Sequence, residues 1–227
     1  GSSAIDFAVE RAGLPHFHIH SLNKRHLRRL AERALKADLL PPAHVSASML
    51  LLQHRLDDPF YVGCVRDPFA RNLSAFFENL RDYIPRPESV SAQYVLDRFS
   101  RLYAHDLPLS WFDKEWRDRI GIDVFEVPFD VQRQYARGKN WIVFREDCPN
   151  EARSLALSEI TGEDIVVQPA NVGEKKYYGE LYRAVKAQAV APESLISMMY
   201  DSPLVRHFWS DHEREAMKRQ WVERQTA

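Results

Sequence analysis

The chain has 227 residues, of which 45% are hydrophobic and 28% charged, enough for one α/β domain with a complete core, and we expect a single domain over 1–227. Lys and Arg total 31 against 32 Asp and Glu, a formal net charge of −1, which excludes wholesale electrostatic binding to nucleic acid or membrane and confines any anion site to a local patch. No apolar run approaches the ~20 residues that span a bilayer. With only Cys64 and Cys148, no disulfide framework is expected, which suits a reducing, cytoplasmic setting.

Gly1-Ser2-Ser3 reads either as a remnant of cloning or as the tail of an anion-cradling loop, because small hydroxylated residues ahead of a helix offer clustered donors. Residues 6–13 form a short amphipathic helix closed by Gly13. Residues 15–22 alternate imidazole and apolar side chains, the period of a strand, with His16, His18 and His20 on one face. A metal there would need a further carboxylate or imidazole, and the sequence shows none nearby. Residues 22–38 are predicted helical, with Leu27, Leu30, Ala31, Ala34 and Leu35 inward and Lys24, Arg25, Arg28, Arg29, Arg33 and Lys36 outward. That basic face is either solvated surface or a contact for an acidic glycan. Leu39-Leu40-Pro41-Pro42 breaks the chain before a helix, or a turn followed by a helix, over 43–56.

Residues 60–65 are an apolar strand, and Phe69, Leu73, Phe76, Phe77 and Leu80 then recur at helical spacing, which places Ser74 on an amphipathic helix. After a turn at Pro85-Arg86-Pro87, helices are predicted over 89–103 and 108–119. The second holds Trp111, Phe112, Asp113, Glu115 and Trp116, a cluster that either pins the helix into the core or stacks on a sugar ring, with core the better reading. Strands are predicted over 124–129 and 141–144, a helix over 150–161 stopped at Gly162, and a short extended piece over 165–167. The C-terminal third is helical: Tyr178, Leu181, Tyr182 and Val185 share a face, and Ser210 with Glu213 has the spacing of a capping box.

The densest chemistry lies at Arg66-Asp67-Pro68, directly after the 60–65 strand, with Ser74 eight residues beyond Arg66. A guanidinium matches a phosphate bidentately, and helix-start amides add donors. The plain alternative is a strand-to-helix corner in which Arg66 pairs with Asp67. The segment resembles the 3′-phosphate-binding element of sulfotransferases that use 3′-phosphoadenosine-5′-phosphosulfate (PAPS). The run over 65–80 is similar to a bacterial group named for capsular polysaccharide synthesis, and more distantly to the glycosaminoglycan 2-O-sulfotransferases. That resemblance implies a P-loop-like α/β fold: a doubly wound, mostly parallel sheet flanked by helices, with a helical C-terminal part and a first strand lying ahead of Gly1.

The resemblance also implies roles. Arg66 and Ser74 would hold the 3′-phosphate, Gly1, Ser2 and Ser3 the 5′-phosphosulfate, and Lys175, or its neighbour Lys176, a third contact. His44, in Ala43-His44-Val45-Ser46 and 22 residues before Arg66, would be the base; apart from the resemblance, His20 and His18 stand in reserve because the strand reading of 15–22 puts them at a carboxyl end, where open α/β sheets hold ligands. Imidazole, with an ordinary pKa of about 6.5, suits proton acceptance near neutrality. The expected activity is metal-free transfer of a sulfuryl group from PAPS to a hydroxyl of a carbohydrate or other acceptor, leaving 3′-phosphoadenosine-5′-phosphate (PAP). A non-catalytic nucleotide-binding protein of capsular polysaccharide synthesis or export is the alternative. A P-loop kinase would need Gly-x-x-x-x-Gly-Lys-Ser/Thr, and the chain has no such run.

Overall fold

The computed structural model describes residues 2–54, 56–170 and 176–222. In chain order the elements are α1 (Ser2–Arg11), α2 (Lys24–Lys36), α3 (Ala43–Gln53), β1 (Tyr61–Val65), α4 (Pro68–Glu78), α5 (Leu80–Tyr83), α6 (Ala92–Leu102), a π-helical turn (Phe112–Arg117), α7 (Asp118–Ile120), β2 (Tyr135–Arg137), β3 (Trp141–Arg145), α8 (Asn150–Thr161), α9 (Gly179–Gln188), α10 (Glu193–Tyr200), α11 (Pro203–Phe208) and α12 (Asp211–Val222). The helix starts follow from capping chemistry. Asn23, Asp67, Ser91 and Ser202 each accept a backbone N–H from the first turn of α2, α4, α6 and α11, and Ser210 and Glu213 exchange hydrogen bonds ahead of α12.

The doubly wound, mostly parallel sheet expected from the sequence is not formed. The fold is 60% helix and 7% strand, with a three-stranded mixed sheet in the order β1-β3-β2. Other groups satisfy the backbone of segments that read as strands. The Ile165 and Val167 N–H groups donate to the Ser158 and Ser154 hydroxyls of α8, at 2.8 and 2.9 Å. Leu22 N–H, at the end of the histidine-bearing segment, donates to the Glu115 carboxylate at 2.7 Å. Asp123 caps a 3-10 turn at Val124–Glu126, where a strand was expected. Once a side chain takes the ladder position, extended backbone has no need of a neighbouring strand.

The chain forms two units, each drawn from two stretches of sequence: Gly1–Cys64 with Phe112–Asn171, and Val65–Trp111 with Val172–Ala227. In the first unit β2 runs antiparallel to β3, pairing Tyr135 with Phe144, Ala136 with Val143 and Arg137 with Ile142. Every residue of β3 is buried. Ile142 and Phe144 pack with Ala4, Ile5 and Ala8 of α1 and with Ala156 and Leu157 of α8. Gly63 lets the Trp116 ring approach β1 closely: a Cβ there would stand 2.9 Å from Trp116 Cζ2 and 3.2 Å from Val143 Cγ2. A separate small cluster of Leu27, Ala31 and Val45 joins α2 to α3.

The second unit is all helical among its described residues apart from the end of β1. Its core is the aromatic row of α4. Phe69 meets Phe99 of α6 and Trp221 of α12, at ring separations of 5.6 and 4.7 Å. Phe77 meets Tyr182 of α9 at 5.0 Å. Aromatic pairs at these distances add about 1 kcal/mol each beyond the area they bury.

Candidate functional site

In the first unit, α1 and the extended segment 14–20 bring a carboxylate to three imidazoles. Asp6 accepts from His16 Nε2 at 3.2 Å through one oxygen and from His18 Nδ1 at 3.1 Å through the other. His18 Nε2 lies 3.3 Å from the Ser2 hydroxyl, so Asp6, His18 and Ser2 form a carboxylate–imidazole–hydroxyl chain. A carboxylate on one ring nitrogen fixes the tautomer and turns the other nitrogen toward its partner. The His20 ring stands 5.0 Å from His18 and meets His44 edge-on at 4.7 Å. Asp6, His16, His18, His20 and His44 line a hollow of about 380 Å³.

His44 is the second residue of α3, after Pro42 at the N-cap. Burial, and then the neighbouring His18 and His26, push its pKa below the usual 6.5. The partial positive charge of a helix start acts in the same direction. A neutral imidazole at the edge of a hollow is a competent proton acceptor. His20 is held indirectly: the next residue, Ser21, donates to Glu115 Oε1 at 2.7 Å, and the adjacent Leu22 N–H takes Glu115 Oε2. Glu115 is thus a brace for the histidine segment. Trp116 is buried beside Phe112 and Trp141, so this part of the aromatic-acidic cluster is core.

A second hollow of about 410 Å³ in the same unit is slightly larger, and Asp130, Arg133, Tyr135 and Arg137 are among its lining. Its arginines are occupied, Arg133 by Asp130 and Tyr135 and Arg137 by Glu159. It carries no imidazole, whereas the other hollow has four, so the histidine-lined hollow is the better candidate for proton transfer near neutrality.

In the second unit, β1 ends at Val65, Asp67 caps α4, and Pro68 is its first residue. Arg66 therefore stands at the carboxyl end of the strand, half-buried, and Ser74 falls two turns into the helix, also half-buried. The Ser74 hydroxyl shares a 2.9 Å hydrogen bond with Tyr182. One helical turn further, Glu78 accepts from Lys176 at 2.5 Å and from Tyr178 at 3.1 Å. Burial first, and then Glu78, raise the Tyr178 phenol well above its ordinary range. Asp67 is fully engaged: one oxygen accepts from Ala70 N–H and Tyr200, the other from the Trp221 indole. The first-turn amide at Ala70, which the sequence reading assigned to an anion along with its neighbours, is thus taken by the protein's own carboxylate.

Ser2, Ser3, His18, His20 and His44 belong to the first unit, and Arg66 and Ser74 to the second. Gly1 and Lys175 lie outside the described residues, and Lys176 is committed to Glu78. Sequence reasoning missed the partnerships of Asp6, Glu115 and Tyr182. Each acts across 12 or more residues, on His18, Ser21 and Ser74 respectively, and no local periodicity carries such a partnership. Among the described residues no group of three or more His, Cys, Asp or Glu side chains has the arrangement to hold a metal ion. No family model, curated protein or solved structure matches the chain.

Proposed function

We propose that this protein transfers a sulfuryl group from PAPS to a carbohydrate hydroxyl, with Arg66 and Ser74 gripping the 3′-phosphate and His44 as base. The observation that carries the reading is the corner between β1 and α4, with Arg66 at the strand's carboxyl end and the Ser74 hydroxyl half-buried two turns into the helix. The Ser74–Tyr182 pair supports the same role: two hydroxyls sharing one hydrogen bond retain a second proton for an anionic oxygen. Depression of the His44 pKa supports its part, because the base must be unprotonated at neutral pH. In the step, the acceptor oxygen forms its bond to sulfur as the bond from sulfur to the 5′-phosphate oxygen breaks. The hydroxyl proton passes to His44, and PAP departs with the bonding electrons.

The test is calorimetric titration of the full-length protein with PAP, beside transfer of radiolabelled sulfate from PAPS to polysaccharide acceptors. Arg66→Ala should weaken PAP binding by roughly a hundredfold, the worth of charge-assisted phosphate hydrogen bonds. His44→Ala should lower turnover by about 10²–10⁴-fold while PAP affinity holds within a few-fold. PAP binding without transfer to any acceptor would assign the non-catalytic nucleotide-binding role in capsular polysaccharide synthesis or export. A wild-type protein that does not bind PAP overturns both.

A further inference from the structure

The α2–α3 hairpin has features that sulfuryl transfer does not use. Lys24, Arg25, Arg28, Arg29, Arg33 and Lys36 of α2 are all exposed, and between Lys24 and Pro42 only Glu32 and Asp38 oppose them. This concentration of positive charge sits in a chain whose formal net charge is −1. Where α2 ends, the polarity changes abruptly. Leu35, Leu39 and Leu40 are 62%, 64% and 88% exposed, too much for side chains that anchor the hairpin. Leu35 lies two turns beyond Arg28 on the same helical face, so the cationic surface runs directly into the apolar tip.

The tip is held in place. Leu39 N–H returns to Ala34 C=O and Asp38 N–H to Leu35 C=O, with Asp38 at φ +56°, and Pro41 and Pro42 fix the chain immediately after. Presenting two leucines from such a turn costs little conformational entropy. The inner faces of α2 and α3 are already joined through Leu27, Ala31 and Val45, so the exposed leucines are surplus to the packing of the hairpin.

We infer that this hairpin docks on an anionic lipid surface, with α2 lying along the headgroups and Leu39 and Leu40 entering the acyl boundary. The pairing of basic side chains with protruding leucines favours lipid over a soluble polyanion, which would satisfy the charges and leave the leucines in water. Transient, local attachment of this kind needs no membrane-spanning helix, and no helix is long and apolar enough to be one among the described residues.

Sedimentation with vesicles tests this. The full-length protein should bind phosphatidylcholine vesicles containing about 30% phosphatidylglycerol, not pure phosphatidylcholine, and added salt should weaken binding as headgroup charge is screened. Arg28→Ala with Arg29→Ala should reduce binding about 25-fold, near a factor of five per basic residue. Leu39→Ser with Leu40→Ser should reduce it by about tenfold or more. Both double variants change exposed side chains and should keep the wild-type melting temperature. No binding to the anionic vesicles overturns the proposal. So does binding indifferent to the leucine changes and competed away by a soluble acidic polysaccharide, which would make the hairpin a glycan contact. Self-association in the ultracentrifuge that the leucine changes abolish would assign the tip to a second copy of the chain, and would also overturn it.

Discussion

Asp67 binds the corner between β1 and α4 into the architecture of its unit. Tyr200 and Trp221 are buried, and Asp67 accepts from the hydroxyl of one and the indole of the other while capping α4. Burial, followed by the Asp67 charge, holds the Tyr200 phenol far above its ordinary pKa. Asp67→Ala removes the acceptor from both and uncaps the helix, and should cost about 3 kcal/mol in urea unfolding, whereas Asp67→Asn keeps an oxygen and should cost less. His44 makes the opposite prediction about titration. Its folded pKa lies below the unfolded 6.5, so its contribution to stability is complete above pH 6.5 and is lost as pH falls through the window below. If His44 is the base, kcat/KM should rise with pH on an acid limb whose midpoint lies under 6.5. A midpoint above 6.5 would remove His44 from that role.

At the level of elements, most helices and the two longer strands, β1 and β3, were legible, while the pairing of extended segments was not, for one physical reason. A helix is written locally: Asn23, Ser91, Gly162 and the Ser210–Glu213 pair mark its ends within four residues of the bonds they make. Alternation over 15–22 predicted a strand that does not form: the Leu22 N–H donates instead to a carboxylate 93 residues away. β2 escaped notice because it is three residues long and exists only through its pairing with β3. Two glycine-related predictions follow from geometry at element ends. Asp38 occupies the left-handed position after α2 where glycine is favoured, and it places a negative charge next to the helix C-terminus. Asp38→Gly should raise the unfolding free energy by about 1 kcal/mol. Gly63→Ala should do the reverse, by about 1–3 kcal/mol, since the new methyl meets the Trp116 ring at 2.9 Å with Val143 close by.

For the whole molecule, short motifs singled out Arg66, Ser74 and the histidines, while the long-range partners of Ser74 and His18 were not legible. Asp6 beside His18 and Tyr182 beside Ser74 depend on tertiary placement alone. Ligand linkage offers a global check on the proposed nucleotide site. PAP at a hundred times its dissociation constant should stabilise the protein by about 2.7 kcal/mol, and Arg66→Ala tested at that same PAP concentration should lose most of that gain. Chemical unfolding followed by both tryptophan fluorescence and circular dichroism reads this shift, and divergence of the two signals would reveal separate melting of the two units.

Because each unit is assembled from two distant stretches, the order of synthesis matters. The phenylalanines of α4 are translated long before Tyr182 and Trp221, the residues that cover Phe77 and Phe69. A nascent or prematurely terminated chain ending after α8 would keep the α6 contact of Phe69 but leave the faces that Tyr182 and Trp221 cover open to water. Nonsense mutations late in the gene should accordingly yield insoluble, chaperone-bound products rather than shortened but folded ones.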